Sequence, residues 1–137
     1  MLRTLALRVR VVTFAAAVPL LMRLRLPVLE RVLEPRRPPT ARPPGRRREV
    51  AVQVEAVLVR GGRVLSASCT TRALTRYYFL RRVGEPLVLC FGVGRLAGEA
   101  AGHCWLLRDG DPFLESRDPR PVFAETYRIP AAHGRST

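Results

Sequence analysis

Ser68-Cys-Thr-Thr-Arg-Ala-Leu-Thr-Arg-Tyr-Tyr-Phe-Leu-Arg-Arg-Val-Gly-Glu-Pro86 is the stretch on which the fold turns. Ala73, Leu74, Tyr77, Tyr78 and Leu80 recur at helical spacing, with Arg72, Arg76, Arg81 and Arg82 mostly on the other side. Residues 69–83 therefore read as an amphipathic helix. Ser66 or Ser68 supplies its N-cap, and the basic residues near its end suit the helix dipole. Gly84 followed by Pro86 stops it. Downstream the period changes. Leu87-Val-Leu-Cys-Phe-Gly-Val93 is a short apolar run, which reads as a buried strand. Gly94 to Gly102 reads as a loop and His103 to Arg108 as a second strand. Asp109-Gly110 is a strong turn signal, and Pro112 to Glu115 returns antiparallel as a third strand. Beyond Ser116 the chain is rich in proline and charge, and Val122, Phe123, Tyr127 and Ile129 pack it back onto the domain.

Upstream, three segments follow one another. Residues 1–34 form a helical arm. Its apolar positions (Leu5, Val9, Val12 and Leu21 among them) are interleaved with Arg3, Arg8, Arg10, Arg23 and Arg25. Pro19 and Pro27 should kink or split it, because proline lacks a donor and crowds the preceding turn. A signal peptide and an in-plane membrane helix are rival readings. Arginines return directly after the apolar run and no polar mature segment follows, so a helix docked on the domain or on a partner is preferred. Residues 35–48 hold five prolines and one glycine. They read as an extended linker, polyproline-like, leading into a domain over residues 49–137. In that domain, Val50, Val52 and Val54 alternate as in a strand, which Gly61-Gly62 would turn into Val64-Leu65. Val50, Val54, Val57 and Leu58 equally satisfy helical spacing.

At 137 residues the chain suits one compact domain. A composition 47% hydrophobic and 26% charged permits a core. The longest apolar run, Val11 to Met22, falls short of the roughly 18–20 residues of a membrane span, so a membrane partner is not expected. Three cysteines is an odd number, which argues against a secreted disulfide scaffold and fits free thiols in a cytoplasmic protein. The net charge is +13 and every basic residue is an arginine. The arginines are spread along the whole chain, with no zinc-finger or RNP-like motif, so nucleic acid is not the expected partner. An acidic partner or anionic surface accounts for the charge equally well.

A cysteine at a helix start, followed by a strand that opens on histidine, is an arrangement that can activate a thiol. The thiolate is the nucleophile, and an ordinary thiol supplies little of it at neutral pH. At Cys69 the unpaired first-turn amides and the positive end of the dipole favour the anion. The His103 imidazole can hold the ion pair and later give its proton to a leaving amine. A third polar group would fix the imidazole's tautomer. With a three-residue loop at Asp109-Gly110-Asp111, Trp105 pairs with Glu115, which then shares a face with His103. A two-residue loop puts Glu115 opposite Cys104, on the other face. Asp109, Asp111 and Asp118 are the substitutes. Cys90 and Cys104 read as small strand-packing residues, Trp105 as core beside the site, and His133 as exposed and idle. Zinc held by Cys69, Cys90, Cys104 and His103 is the rival, without a close Cys-x-x-Cys pair to support it.

Taken together, Ser68 to Pro86, Leu87 to Val93 and Gly102-His-Cys-Trp-Leu-Leu-Arg-Asp-Gly-Asp-Pro-Phe-Leu-Glu115 resemble the transglutaminase-like cysteine peptidases of lasso-peptide biosynthesis, over about residues 50–130. Those enzymes remove the leader from a ribosomal precursor peptide. The resemblance implies an α+β fold: a papain/transglutaminase-like core with a helical N-terminal arm and a small antiparallel sheet. It implies Cys69 as nucleophile and His103 as general base and then acid. Glu115 stands where the family has aspartate. No cofactor is called for. The implied partners are the precursor peptide, a separate leader-recognition protein and a macrolactam-forming synthetase. The resemblance also favours helix over strand for residues 49–60.

Overall fold

The computed structural model describes residues 1–62 and 68–131. The expected Val64-Leu65 strand, a cap by Ser66, and His133 lie outside them. Helix α1 (Leu2–Leu21) is followed by α2 (Leu26–Leu33), α3 (Pro44–Arg60) and α4 (Cys69–Arg82), then by strands β1 (Leu87–Leu96), β2 (Glu99–Arg108), β3 (Asp111–Phe113) and β4 (Phe123–Ile129). The strands form one antiparallel sheet in the order β3-β2-β1-β4. Helices and sheet thus give the α+β class that the sequence implies.

Residues 49–60 are helical, as the resemblance favoured and the local alternation did not. Val50, Val54, Val57 and Leu58 are the buried face of α3. The expected linker is shorter than residues 35–48, because α3 already begins at Pro44. Proline in a first turn loses no hydrogen bond that the helix needs. Pro27 acts in the same way at the start of α2 rather than kinking a helix, whereas Pro19 lies inside α1. The linker also docks on the domain: the Arg42 amide donates to the Val83 carbonyl at 3.1 Å.

The arm is part of the core. Leu7, Val11, Ala15 and Val18 of α1 are buried, and α1 packs on α3 and α4. Among the described residues α1 is the one helix long and apolar enough to cross a membrane. The longest apolar run was too short a measure, because arginine breaks it without ending the helix. The other face of α1 exposes Leu2, Leu5, Val9 and Val12.

The helices cover one face of the sheet. Leu87, Leu89, Cys104, Leu106 and Ile129 join Val54, Leu74, Tyr77 and Leu80 in that core. A smaller cluster of Cys90, Trp105, Leu107 and Phe123 lies on the opposite face, as strand alternation requires.

The stretch Gly94 to Gly102 is not a loop. β1 and β2 run on and pair down to Leu96 with Glu99. Ala97 (φ 51°) and Gly98 (φ 81°) turn the hairpin, as a two-residue turn requires. An alanine in the left-handed region carries no sequence signal. β4, also unforeseen as a strand, pairs with β1, with a bulge at Phe91/Gly92. A Cβ on Gly92 would come within 2.7 Å of both the Ala124 carbonyl oxygen and the Trp105 ring. Glycine there lets strand and indole close on each other.

Candidate active site

Cys69 is the first residue of α4. Its position follows from the cap: the Ser68 hydroxyl accepts from the Thr71 amide at 3.3 Å. Cys69 and Thr70 occupy the first positions of the helix, where amides have no intrahelical acceptor. Cys69 is half-buried, while Cys90 and Cys104 are buried. Burial pushes the Cys90 thiol up to about 12, with Glu125 adding to it. Burial also holds Cys104 well above the usual thiol range, with the Glu115 carboxylate adding to it. Both are therefore poor nucleophiles.

His103, on β2, pairs with Gly92 of β1 and faces away from the helices. Its ring stacks on Phe123, with centroids 4.8 Å apart, and on Trp105 at 5.9 Å. Phe123 as a wall of the site was missed, because nothing local marks it as the start of a strand beside β1. His103 nevertheless lines the same cavity as Cys69. β3 pairs only with Leu106, Leu107 and Arg108, so on that side the β2 edge at His103 has no strand neighbour. A cavity of about 280 Å³ opens there, lined by Cys69, Arg72, Arg76, His103, Leu114, Glu115 and Ser116.

Glu115 reaches this cavity by a route the strand argument did not anticipate. Arg108 pairs with Asp111, so the turn at Asp109-Gly110 has two residues, not three. Asp109 (φ 51°) and Gly110 (φ 84°) adopt the required left-handed conformations. Regular alternation in that register would place Glu115 on the face opposite His103. Leu114 adopts φ 55° and ends the alternation just after β3. The Glu115 carboxylate Oε2 then lies 3.6 Å from His103 Nε2. That separation is too long for a direct hydrogen bond.

The alternative acids stay outside. Asp109 and Asp111 are exposed at the hairpin. Asp118 pairs with Arg120 at 2.8 Å, and hydrogen bonds from Arg120 hold its carboxyl below the usual range. Zinc fares no better. Cys90 and Cys104 lie on opposite faces of the sheet, and no group of three or more potential metal ligands occurs among the described residues. Arg72 and Arg76 give the cavity a basic rim. Arg76 is held by a two-pronged pair with Glu55, at 2.6 and 3.0 Å.

A family model described as the transglutaminase-like superfamily matches residues 8–128. The match spans α1 to the body of β4, so arm, helix α4 and sheet all fall within it. No curated protein and no solved structure matches the chain.

Proposed function

This chain belongs to the transglutaminase-like superfamily, and from that premise we propose that it is a cysteine peptidase that cuts the leader from a ribosomally made precursor peptide, as in lasso-peptide maturation. The observation that carries the reading is the single cavity shared by Cys69, His103 and Glu115. In it, Cys69 Sγ attacks the scissile carbonyl. His103 Nδ1 takes the thiol proton and returns it to the leaving amine. The Glu115 carboxylate beside Nε2 fixes the ring and stabilises the imidazolium. Water, deprotonated by His103, then hydrolyses the thioester and frees Cys69. The amides of Cys69 and Thr70 are the donors placed to hold the oxyanion. The leader-specific part of the reading rests on the resemblance of residues 68–115. It brings two partners with it, a leader-recognition protein and a macrolactam-forming synthetase. Glutamate in place of aspartate lengthens the reach to His103 by one methylene.

The test is iodoacetamide alkylation of each cysteine against pH, in wild type and in His103→Ala, read by peptide mass spectrometry. Cys69 is expected to react near neutral pH at least about tenfold faster than Cys90 and Cys104, and to lose its fast reaction below pH 8 in His103→Ala. The same protein should release the leader from a precursor peptide in a Cys69-dependent way. A Cys69 rate that His103→Ala leaves untouched, with no cleavage when the recognition protein is added, would identify an inactive scaffold instead.

A further inference from the structure

The catalytic cavity does not end at the thiol. Leu114 also lines a second, apolar groove of about 490 Å³ along α3. Its walls are Val52, Ala56 and Val59 on one side and Phe113 and Leu114 on the other. Val59 is 76% exposed, Val52 54% and Leu114 48%. These apolar side chains face solvent beside the cavity, as Leu2, Leu5, Val9 and Val12 do on α1. The Arg76–Glu55 pair forms the wall between groove and cavity, because Arg76 lines the cavity and Glu55 the groove.

Ala51 and Phe113 in turn connect the groove to a third pocket, of about 280 Å³, which holds Arg47, Arg48, Arg108 and Glu85. Glu85 is buried and serves two arginines at once, Arg47 at 3.5 Å and Arg108 at 3.6 Å. The buried Nε of Arg47 and the buried Oε2 of Glu85 both lack a hydrogen-bond partner among the described residues. One carboxylate among three guanidinium groups leaves this pocket short of negative charge.

We infer that these three spaces form one track for an extended peptide, and that the substrate carries a bulky apolar side chain next to the scissile bond and an acidic residue about four positions away. The spacing comes from α3. Glu55 to Arg47 spans about 12 Å at ~1.5 Å per residue, the length of roughly four extended residues. The apolar groove takes the first side chain by burying it. The basic pocket takes the second by charge-assisted hydrogen bonds from arginine. This inference rests on the thiol-peptidase reading for its direction but makes its own claim about selectivity.

The test uses full-length Cys69→Ala protein and fluorescein-labelled dodecapeptides that carry one Leu and one Glu-Glu pair four residues apart, with binding read by anisotropy. Changing the peptide's Leu to Ser, or its Glu pair to Gln, should each weaken binding on the order of tenfold. Val52→Ser with Val59→Ser should erase the preference for Leu and keep that for Glu. Arg108→Gln should do the reverse. Arg23→Gln removes the same charge away from the track and should change neither, which separates the pocket from the general basicity of the chain. All peptides binding alike, or a Leu preference that persists in the Val52/Val59 variant, overturns the track. Incubating the peptides with wild type reads the other claim. Groove selectivity without Cys69-dependent cleavage defeats the peptidase reading alone, and cleavage without selectivity defeats the track alone.

Discussion

The two ends of α4 are built to opposite specifications. Its C-terminal end is gripped from every side. Gly84 at φ 93° closes the helix, with the Gly84 amide bonded to Arg81 O and the Glu85 amide to Leu80 O, a Schellman pair. Glu34 at the end of α2 accepts from the Tyr77 hydroxyl and pairs with Arg81. Arg82 reaches the Leu33 carbonyl at 2.8 Å. At the N-terminal end the local fastening among the described residues is the Ser68 cap, and Cys69 lines the cavity. Residues far from the cavity hold the helix, and under the proposed reading its first amides are left to bind a substrate. Anchoring and reactivity are separated along fourteen residues of one helix.

The largest test of that separation is Gly84→Ala. An L-residue would be strained at this φ, and its Cβ would fall 2.5 Å from the Ala41 Cα, a backbone atom that cannot swing aside. The expected cost is on the order of 3 kcal/mol of stability, read as a lower urea midpoint. The alkylation rate of Cys69 in the folded protein should stay within about twofold, since local opening at one end need not reach the other. A rate that collapses with the midpoint would show that the two ends act as one.

The gripped end was also the more legible one. Gly84 and Pro86 mark the end of the helix by backbone chemistry that any reader of the sequence can apply, and Arg81 and Arg82 suit it. The open end was half legible. Ser68 is a recognisable cap, and Cys69 with His103 follows from residue type and order, once the resemblance has singled them out. Glu115 was named for a geometry that does not occur. The two-residue turn at Asp109-Gly110 would have excluded it, and the left-handed Leu114 restores it. Leucine at positive φ is set by what packs around it, and no local preference announces it. Phe123 escaped for a related reason: a strand formed by pairing across a proline-rich tail shows no alternation of its own. Ala97-Gly98 likewise turns a hairpin without the usual asparagine or aspartate.

A smaller effect should come from Glu34. Burial raises its carboxyl above the usual 4.5, and Arg81 pulls it back only in part. A carboxyl raised on folding binds its proton more tightly in the folded chain. Its contribution is therefore complete below about 4.5 and is lost as pH rises through the folded value. Between those values wild type should gain stability relative to Glu34→Gln as the pH falls. Thermal melts from pH 7 to 4 on both proteins would show this. A difference that stays flat with pH would mean that Glu34 is no more buried than a surface carboxylate, and that the grip rests on Gly84 and Arg82.

Ser68→Ala should have the smallest effect on the whole and the most telling local one. Losing a side-chain cap costs about 1 kcal/mol, and here the lost bond is the one from the Thr71 amide. Fraying should stay in the first turn. Hydrogen exchange is expected to speed up at Thr71 and Arg72, with Gly84 and Glu85 unchanged. The reactivity of Cys69 should fall with it, because amides that no longer point together cannot favour the thiolate. That outcome would tie the reactivity to helix order at the open end. If Cys69 keeps its rate while the first turn exchanges freely, the thiolate owes its stability to His103 and the basic rim of Arg72 and Arg76. The unpaired amides would then serve the oxyanion only.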